Sequence, residues 1–143
     1  MAIHHTSDDV CPLCEEKLAQ VHPYLSYWFR RHVKRFQPNA HVSWGFRGKD
    51  DQNRFFDQEK TTLRFPLSPH NKTPAMAIDL FQLDDKGKAV WDVDFFKVLN
   101  FYNERAKINL RWGGNFKKWK DYNHFEIPKS IFRRLYEKIR YTL

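Results

Sequence analysis

His70, Asp79 and His124 are the residues of this chain best suited to chemistry. Two imidazoles and one carboxylate form a three-ligand zinc set that leaves a fourth position for water, whereas a structural zinc is closed by four protein ligands. The set predicts one catalytic zinc per chain and a hydrolytic reaction. Asp121, just upstream of His124, is close enough to reach the water but aimed differently from His124, and suits a general base.

The spacing predicts how the site is built. His70 and Asp79 stand nine positions apart with Pro74 between them, so they are not neighbours on one helix face. A loop followed by a strand fits better. In AMAIDL the strand period of two places Ala75, Ala77 and Asp79 on one face and Met76, Ile78 and Leu80 on the other, so Asp79 should point away from the core. In HFEI, His124 and Glu126 share a face opposite Phe125 and Ile127. Two adjacent strands can then converge on one metal.

With these residues in place, the chain resembles the zinc peptidases of the hedgehog and D-alanyl-D-alanine peptidase fold, and among them the L-alanyl-D-glutamate endopeptidases that phages use as endolysins. The resemblance rests on an ordered set: Ser68 and His70 in Ser-x-His, Ala77 and Asp79 in Ala-x-Asp, then Trp112-Gly113-Gly114, and Asp121, His124, Phe125 and Glu126 in Asp-x-x-His-Phe-Glu. Upstream, Gly45-Phe46-Arg47 followed by Gln52 is similar to the segment that places an arginine and a glutamine beside the substrate. The match covers about 41–127. The interval between His70 and Asp79 is longer than in the best-known members; Asn123 stands where proline is frequent and Phe116 where tryptophan is usual.

The resemblance implies an α+β fold, a small antiparallel sheet flanked by helices, and a peptidase cleaving the L-alanyl-D-glutamate bond of the peptidoglycan stem peptide. A D-alanyl-D-alanine carboxypeptidase is the alternative enzyme. Zinc bound by His70, Asp79 and His124 would acidify a water and polarise the scissile carbonyl. Asp121 would carry the proton to the leaving amine. Arg47 would stabilise the oxyanion or hold a substrate carboxylate through its fixed fork of donors, and Gln52 would orient Arg47 or the peptide. Glu126 and Ser68 are expected to fix a ligand's tautomer. Trp112 belongs beside the substrate or behind the ligands, although Trp112, Gly113 and Gly114 also read simply as a turn, its glycines serving backbone freedom.

Cys11 and Cys14 in CPLC have metal-finger spacing, yet no second CxxC pair follows. His4, His5 or His22 could complete a four-ligand site. The preferred reading is that Asp8 or Asp9 caps a helix with Pro12 in its first turn and that the cysteines are ordinary thiols. His32 and His41, taken singly, read as surface or capping residues.

At 143 residues, 41% of them hydrophobic, the chain can bury one core. The expected organisation is a single domain: a helical segment over 1–40, a catalytic core over 41–127 and a C-terminal helix over 128–143. Two cysteines do not make a disulfide framework, and MAIHHTSDDV lacks a basic-then-apolar signal pattern. Synthesis in the cytoplasm, a monomer without transmembrane segment, and holin-dependent release to the bacterial cell wall are expected. The net charge of +8 favours an anionic partner, which peptidoglycan carboxylates satisfy. The stretches FRRHVKRF and NFKKWKDY would also suit nucleic acid, but no nucleic-acid-binding motif appears and that reading leaves the zinc set unexplained.

The positioning elements follow from periodicity. Helices are expected over 13–21 and 24–36, separated at Pro23, with Leu25, Trp28, Phe29, Val33 and Phe36 as an apolar stripe. HVSWGFR and INLRW read as strands, and Asp50, Asp51 and Gln52 open a short helix. The stretch 91–107 is a helix with Phe95, Val98, Leu99 and Tyr102 inward. Ser130 should cap a last helix that buries Ile131, Leu135 and Ile139 and exposes Arg133, Arg134, Lys138 and Arg140.

Overall fold

The computed structural model describes residues 10–105 and 109–130. The helix expected after Ser130, its basic face, and the caps Asp8 and Asp9 lie outside the described residues, as do Ala106 and Lys107.

Helices α1 (Pro12–Leu18) and α2 (Pro23–Trp28) both begin on proline, whose missing N–H is one a first helical turn leaves unpaired anyway. The N-cap of α1 is Cys11, whose Sγ accepts from the Cys14 backbone N–H. α1 stops short of its expected end because Gln20 and Val21 are drawn into pairing with Ala75: the Ala75 N–H donates to the Gln20 carbonyl, and Val21 bridges Ala75. α2 runs on into a π-helical turn, Phe29–Lys34. Leu25, Trp28, Phe29 and Val33 form the buried stripe, but Phe36 is 55% exposed and rests against Tyr102. The helical turns end at Lys34, so the periodicity that placed Phe36 on the stripe does not reach it.

Among the described residues, five strands make an antiparallel sheet: β1 (Ala40–Trp44), β2 (Ala77–Leu83), β3 (Ala89–Val90), β4 (Arg111–Trp112) and β5 (His124–Glu126), in the order β1-β2-β5-β4 with β3 also paired to β2. Between β1 and β2 lies α3 (Lys49–Asp57), and α4 (Val93–Glu104) follows β3. Ile78, Leu80 and Phe125 are fully buried in one cluster with the α2 stripe and with Phe95, Phe96 and Leu99 of α4; the Trp28 and Phe125 rings sit 4.8 Å apart. This is the expected α+β architecture.

Two details depart from the sequence reading. In α4, Phe96 enters the core while Val98 stays 39% exposed, because the buried stripe runs through Phe95, Phe96, Leu99 and Asn103. Of the strand expected at 108–112, the described residues form only Arg111–Trp112: the Asn103 side chain takes both backbone groups of Leu110, donating to its carbonyl at 2.8 Å and accepting its N–H at 2.7 Å.

Candidate metal centre

Register places the candidate ligands. Asp79 of β2 is paired directly with His124 of β5, and Ala77 with Glu126, so strand alternation brings these side chains to the sheet face opposite Ile78 and Phe125. Asp79 thus points off the hydrophobic core as expected, yet it is only 6% exposed, because other side chains of the site close over it. His70 arrives from outside the sheet on a 3-10 turn, Pro69–Asn71. Ser68 caps that turn by accepting the His70 backbone N–H, while Asn71 Oδ1 accepts the Ser68 N–H. Ser68 therefore holds the backbone and does not fix the imidazole tautomer. That task falls to the Gly45 carbonyl, 2.8 Å from His70 Nδ1, an acceptor that turns Nε2 toward Asp79 and His124.

The three donor atoms close a small triangle. His70 Nε2 lies 3.2 Å from Asp79 Oδ1 and 3.3 Å from His124 Nδ1, and His124 Nδ1 lies 3.0 Å from Asp79 Oδ1. Tetrahedral ligands on zinc bonds of about 2.0–2.1 Å stand about 3.3 Å apart, so the residues fit a zinc ion with little movement. His124 Nε2 faces Glu126 Oε1 at 2.9 Å, which directs Nδ1 to the other two ligands.

At the centre of the cluster a buried carboxylate lies against two imidazoles. Burial alone would raise the Asp79 carboxyl, but the His70 charge and hydrogen bonds from both histidines hold it far below the usual carboxylate range. Burial would lower His124, but its bonds to Asp79 and Glu126 outweigh that and push it up to about 10. Asp121 is pushed up, first by burial and then by the neighbouring Asp79 charge. Its Oδ2 lies 3.9 Å from His124 Nδ1, and its side chain keeps 39% exposure where the three ligands keep 9% or less. Asp121 therefore sits between the ligands and solvent.

Arg47 closes the other side. One terminal nitrogen donates to Asp79 Oδ2 at 3.1 Å and the other to Gln52 Oε1 at 3.2 Å, with the guanidinium 4.8 Å from the centres of both the Trp44 and Phe55 rings. Burial lowers its pKa, though a guanidinium stays protonated. Gln52 is fully buried and donates to the Leu63 carbonyl. Asn71, unmarked in the sequence reading, donates to the Arg47 carbonyl at 2.8 Å and so ties the arginine loop to the histidine turn; Ser-x-x-Asn spacing was the signal for it.

Trp112 is buried in the core, stacked on Phe125, and its indole N–H donates to the Tyr122 carbonyl. It supports the segment after Asp121. The glycines beside it serve close approach: a Cβ on Gly113 would come within 2.1 Å of the Asp121 carbonyl oxygen, and one on Gly114 within 2.3 Å of the Trp112 ring. Neither has the positive φ found at Gly87.

The open side of the cluster faces a cleft of about 390 Å³, walled by Trp44, Phe55, Leu63, Trp91, Phe116 and Trp119. Basic stretches noted in the sequence are partly used elsewhere. Arg30 makes a two-point ion pair with Glu15, Lys34 is buried and donates to the Pro38 and Ala40 carbonyls, and Phe116 and Trp119 of the second stretch line the cleft.

No family model matches the chain. Its structure is similar to the crystal structure of the Serratia marcescens L-Ala D-Glu endopeptidase ChiX, with a TM-score of 0.70 and 24% sequence identity over 92% of this chain and 94% of that one. A small antiparallel sheet with flanking helices, superposable over nearly the whole of both chains, gives this protein the hedgehog/D-Ala-D-Ala peptidase-like fold.

Proposed function

We propose that this protein is a zinc-dependent peptidoglycan peptidase of the endolysin type that hydrolyses the L-alanyl-D-glutamate bond of the stem peptide. The observation that carries the reading is the triangle of His70 Nε2, Asp79 Oδ1 and His124 Nδ1, open toward a cleft in which Asp121 stands half-exposed. The likeness to an L-Ala D-Glu endopeptidase supports the choice of bond.

His70, Asp79 and His124 would hold a zinc ion, which would supply Lewis acidity and acidify a water. Asp121 Oδ2, half-exposed at the cleft beside His124, is placed to accept the proton of the attacking water and return it to the leaving amine. Arg47, fixed by Asp79 and Gln52 and flanked by two rings, keeps a permanent positive charge at the cleft wall, where it attracts the substrate's carboxylate or developing oxyanion. Glu126 and the Gly45 carbonyl hold the two imidazoles in register. The aromatic walls exclude water from the bound peptide.

No helix among the described residues is long and apolar enough to cross a membrane. Action on the cell wall as a monomer, after cytoplasmic synthesis and holin-dependent release, belongs to the same proposal. Digestion of purified sacculi by the zinc-loaded protein, with the new termini identified by mass spectrometry, tests it. New D-glutamate amino ends are expected, and an Asp121→Ala protein that still binds zinc should produce none. Released D-alanine would favour the carboxypeptidase. Intact sacculi alongside tight, salt-sensitive nucleic-acid binding would reverse the assignment.

A further inference from the structure

A second cluster of metal-ligating atoms lies apart from the site above, where α1 meets β1. Cys11 caps α1, Cys14 lies in its first turn, and His41 is the second residue of β1. Their donor atoms converge: His41 Nδ1 stands 3.7 Å from Cys11 Sγ and 3.5 Å from Cys14 Sγ, with the sulfurs 3.1 Å apart. Cys14 and His41 are buried, Cys11 half-buried. His41 thus supplies, from a distant strand, a third ligand that the CPLC spacing lacked.

We propose that Cys11 Sγ, Cys14 Sγ and His41 Nδ1 bind a second divalent metal ion of the zinc class, bracing α1 against β1.

Three observations carry this. First, with zinc bonds of about 2.3 Å to sulfur and about 2.0–2.1 Å to nitrogen, tetrahedral sulfur and nitrogen ligands stand about 3.6 Å apart, which both imidazole distances match. Second, the sulfur pair is intermediate: a disulfide would need it to close to about 2.05 Å, and a metal would need it to open to about 3.8 Å. A nitrogen placed nearly equally from both sulfurs decides for the metal, since a disulfide has no use for it. Third, backbone N–H groups already address both sulfurs as acceptors, Cys14 N–H to Cys11 Sγ and Val42 N–H to Cys14 Sγ, each at 3.4 Å. Two soft thiolates and one imidazole select zinc-like ions over magnesium or calcium. The fourth place on the metal is open to solvent or to a further donor, and the proposal holds with either.

The consequence is mechanical. β1 continues into Gly45 and Arg47, which hold His70 and Asp79, so an ion at its start would stiffen the strand that delivers them. The inference does not depend on the peptidase reading.

Cobalt(II) titration of the full-length, reduced protein tests it, because only a thiolate-bound cobalt gives an intense near-ultraviolet sulfur-to-metal band. The band should appear, saturate by about two equivalents in the wild type and at about one where the first site is disabled, and be displaced by zinc. It should persist in His70→Ala, vanish in Cys11→Ser, a change at a half-buried position, and weaken in His41→Gln. A wild-type protein that takes up cobalt without the band would overturn the proposal whether or not the variants fold. So would a Cys11–Cys14 disulfide that survives reductant, or a band of undiminished strength in Cys11→Ser.

Discussion

His124 Nε2 lies 2.9 Å from Glu126 Oε1, two residues along the same strand and on the same face. The carboxylate accepts the Nε2 proton and leaves Nδ1 as the atom turned to His70 and Asp79. Replacing Glu126 with Ala should weaken zinc binding about 10- to 100-fold, the usual effect of losing such a partner. Competition with a chelating dye reads the affinity, and circular dichroism should show the fold unchanged. Unaltered affinity would remove Glu126 from the ligand-orienting role.

Arg47 and Asp79 form a buried ion pair at 3.1 Å, their side chains 7% and 9% exposed. Arg47→Met should cost about 3 kcal/mol in chemical denaturation, because it removes the cation paired with buried Asp79 Oδ2 and leaves Gln52 Oε1 with only the Asn71 amide as donor. Arg47→Lys should recover only part of this, since an ammonium cannot bridge both partners as the planar fork does. A loss below about 1 kcal/mol for the Met variant would mean that the pair is solvated like a surface bridge.

Gly113 packs against the backbone of Asp121, which returns its own N–H to the Gly113 carbonyl at 2.9 Å. Gly113→Ala forces that segment aside. Stability should fall by about 1–3 kcal/mol, and turnover should fall much more than zinc affinity, because the base moves and the ligands do not. Equal losses in both would show that the glycine supports the whole site.

Arg30 and Glu15 make the ion pair between the π-helical turn and α1, with donor distances of 2.6 and 2.5 Å. The Arg30 hydrogen bond holds Glu15 below its usual 4.5. A depressed carboxylate stabilises the fold above the unfolded value, and the contribution fades as pH falls through the folded one. The pair is exposed, so the effect should stay under about 1 kcal/mol. The stability difference between wild type and Arg30→Gln should therefore shrink on acidification through pH 4.5; a difference that grew would reverse the sign of the coupling.

The strand pairs of the metal centre were legible because a period of two is read directly from AMAIDL and HFEI, and antiparallel register then sets Asp79 opposite His124. His70 was visible by residue type, but the carbonyl that orients it belongs to Gly45, and a backbone acceptor leaves no mark on a sequence. Arg47 and Gln52 entered only through resemblance; that they meet Asp79 depends on a turn between β1 and α3 that periodicity does not describe. The same limit hid His41, which is isolated in sequence and meets the two cysteines only through the packing of α1 on β1. Phe36 and Val98 were misplaced because helical periodicity was carried past the end of one helix and set one residue out of phase in another.

The central claim is that His70 Nε2, Asp79 Oδ1 and His124 Nδ1 grip a single zinc ion. Anomalous diffraction at the zinc edge, from crystals of the zinc-loaded Cys11→Ser protein, addresses it without interference from the second cluster. The expected result is one anomalous peak within about 2.0–2.2 Å of all three atoms. A peak elsewhere with those three side chains still hydrogen-bonded to one another, or no peak at all, would contradict it.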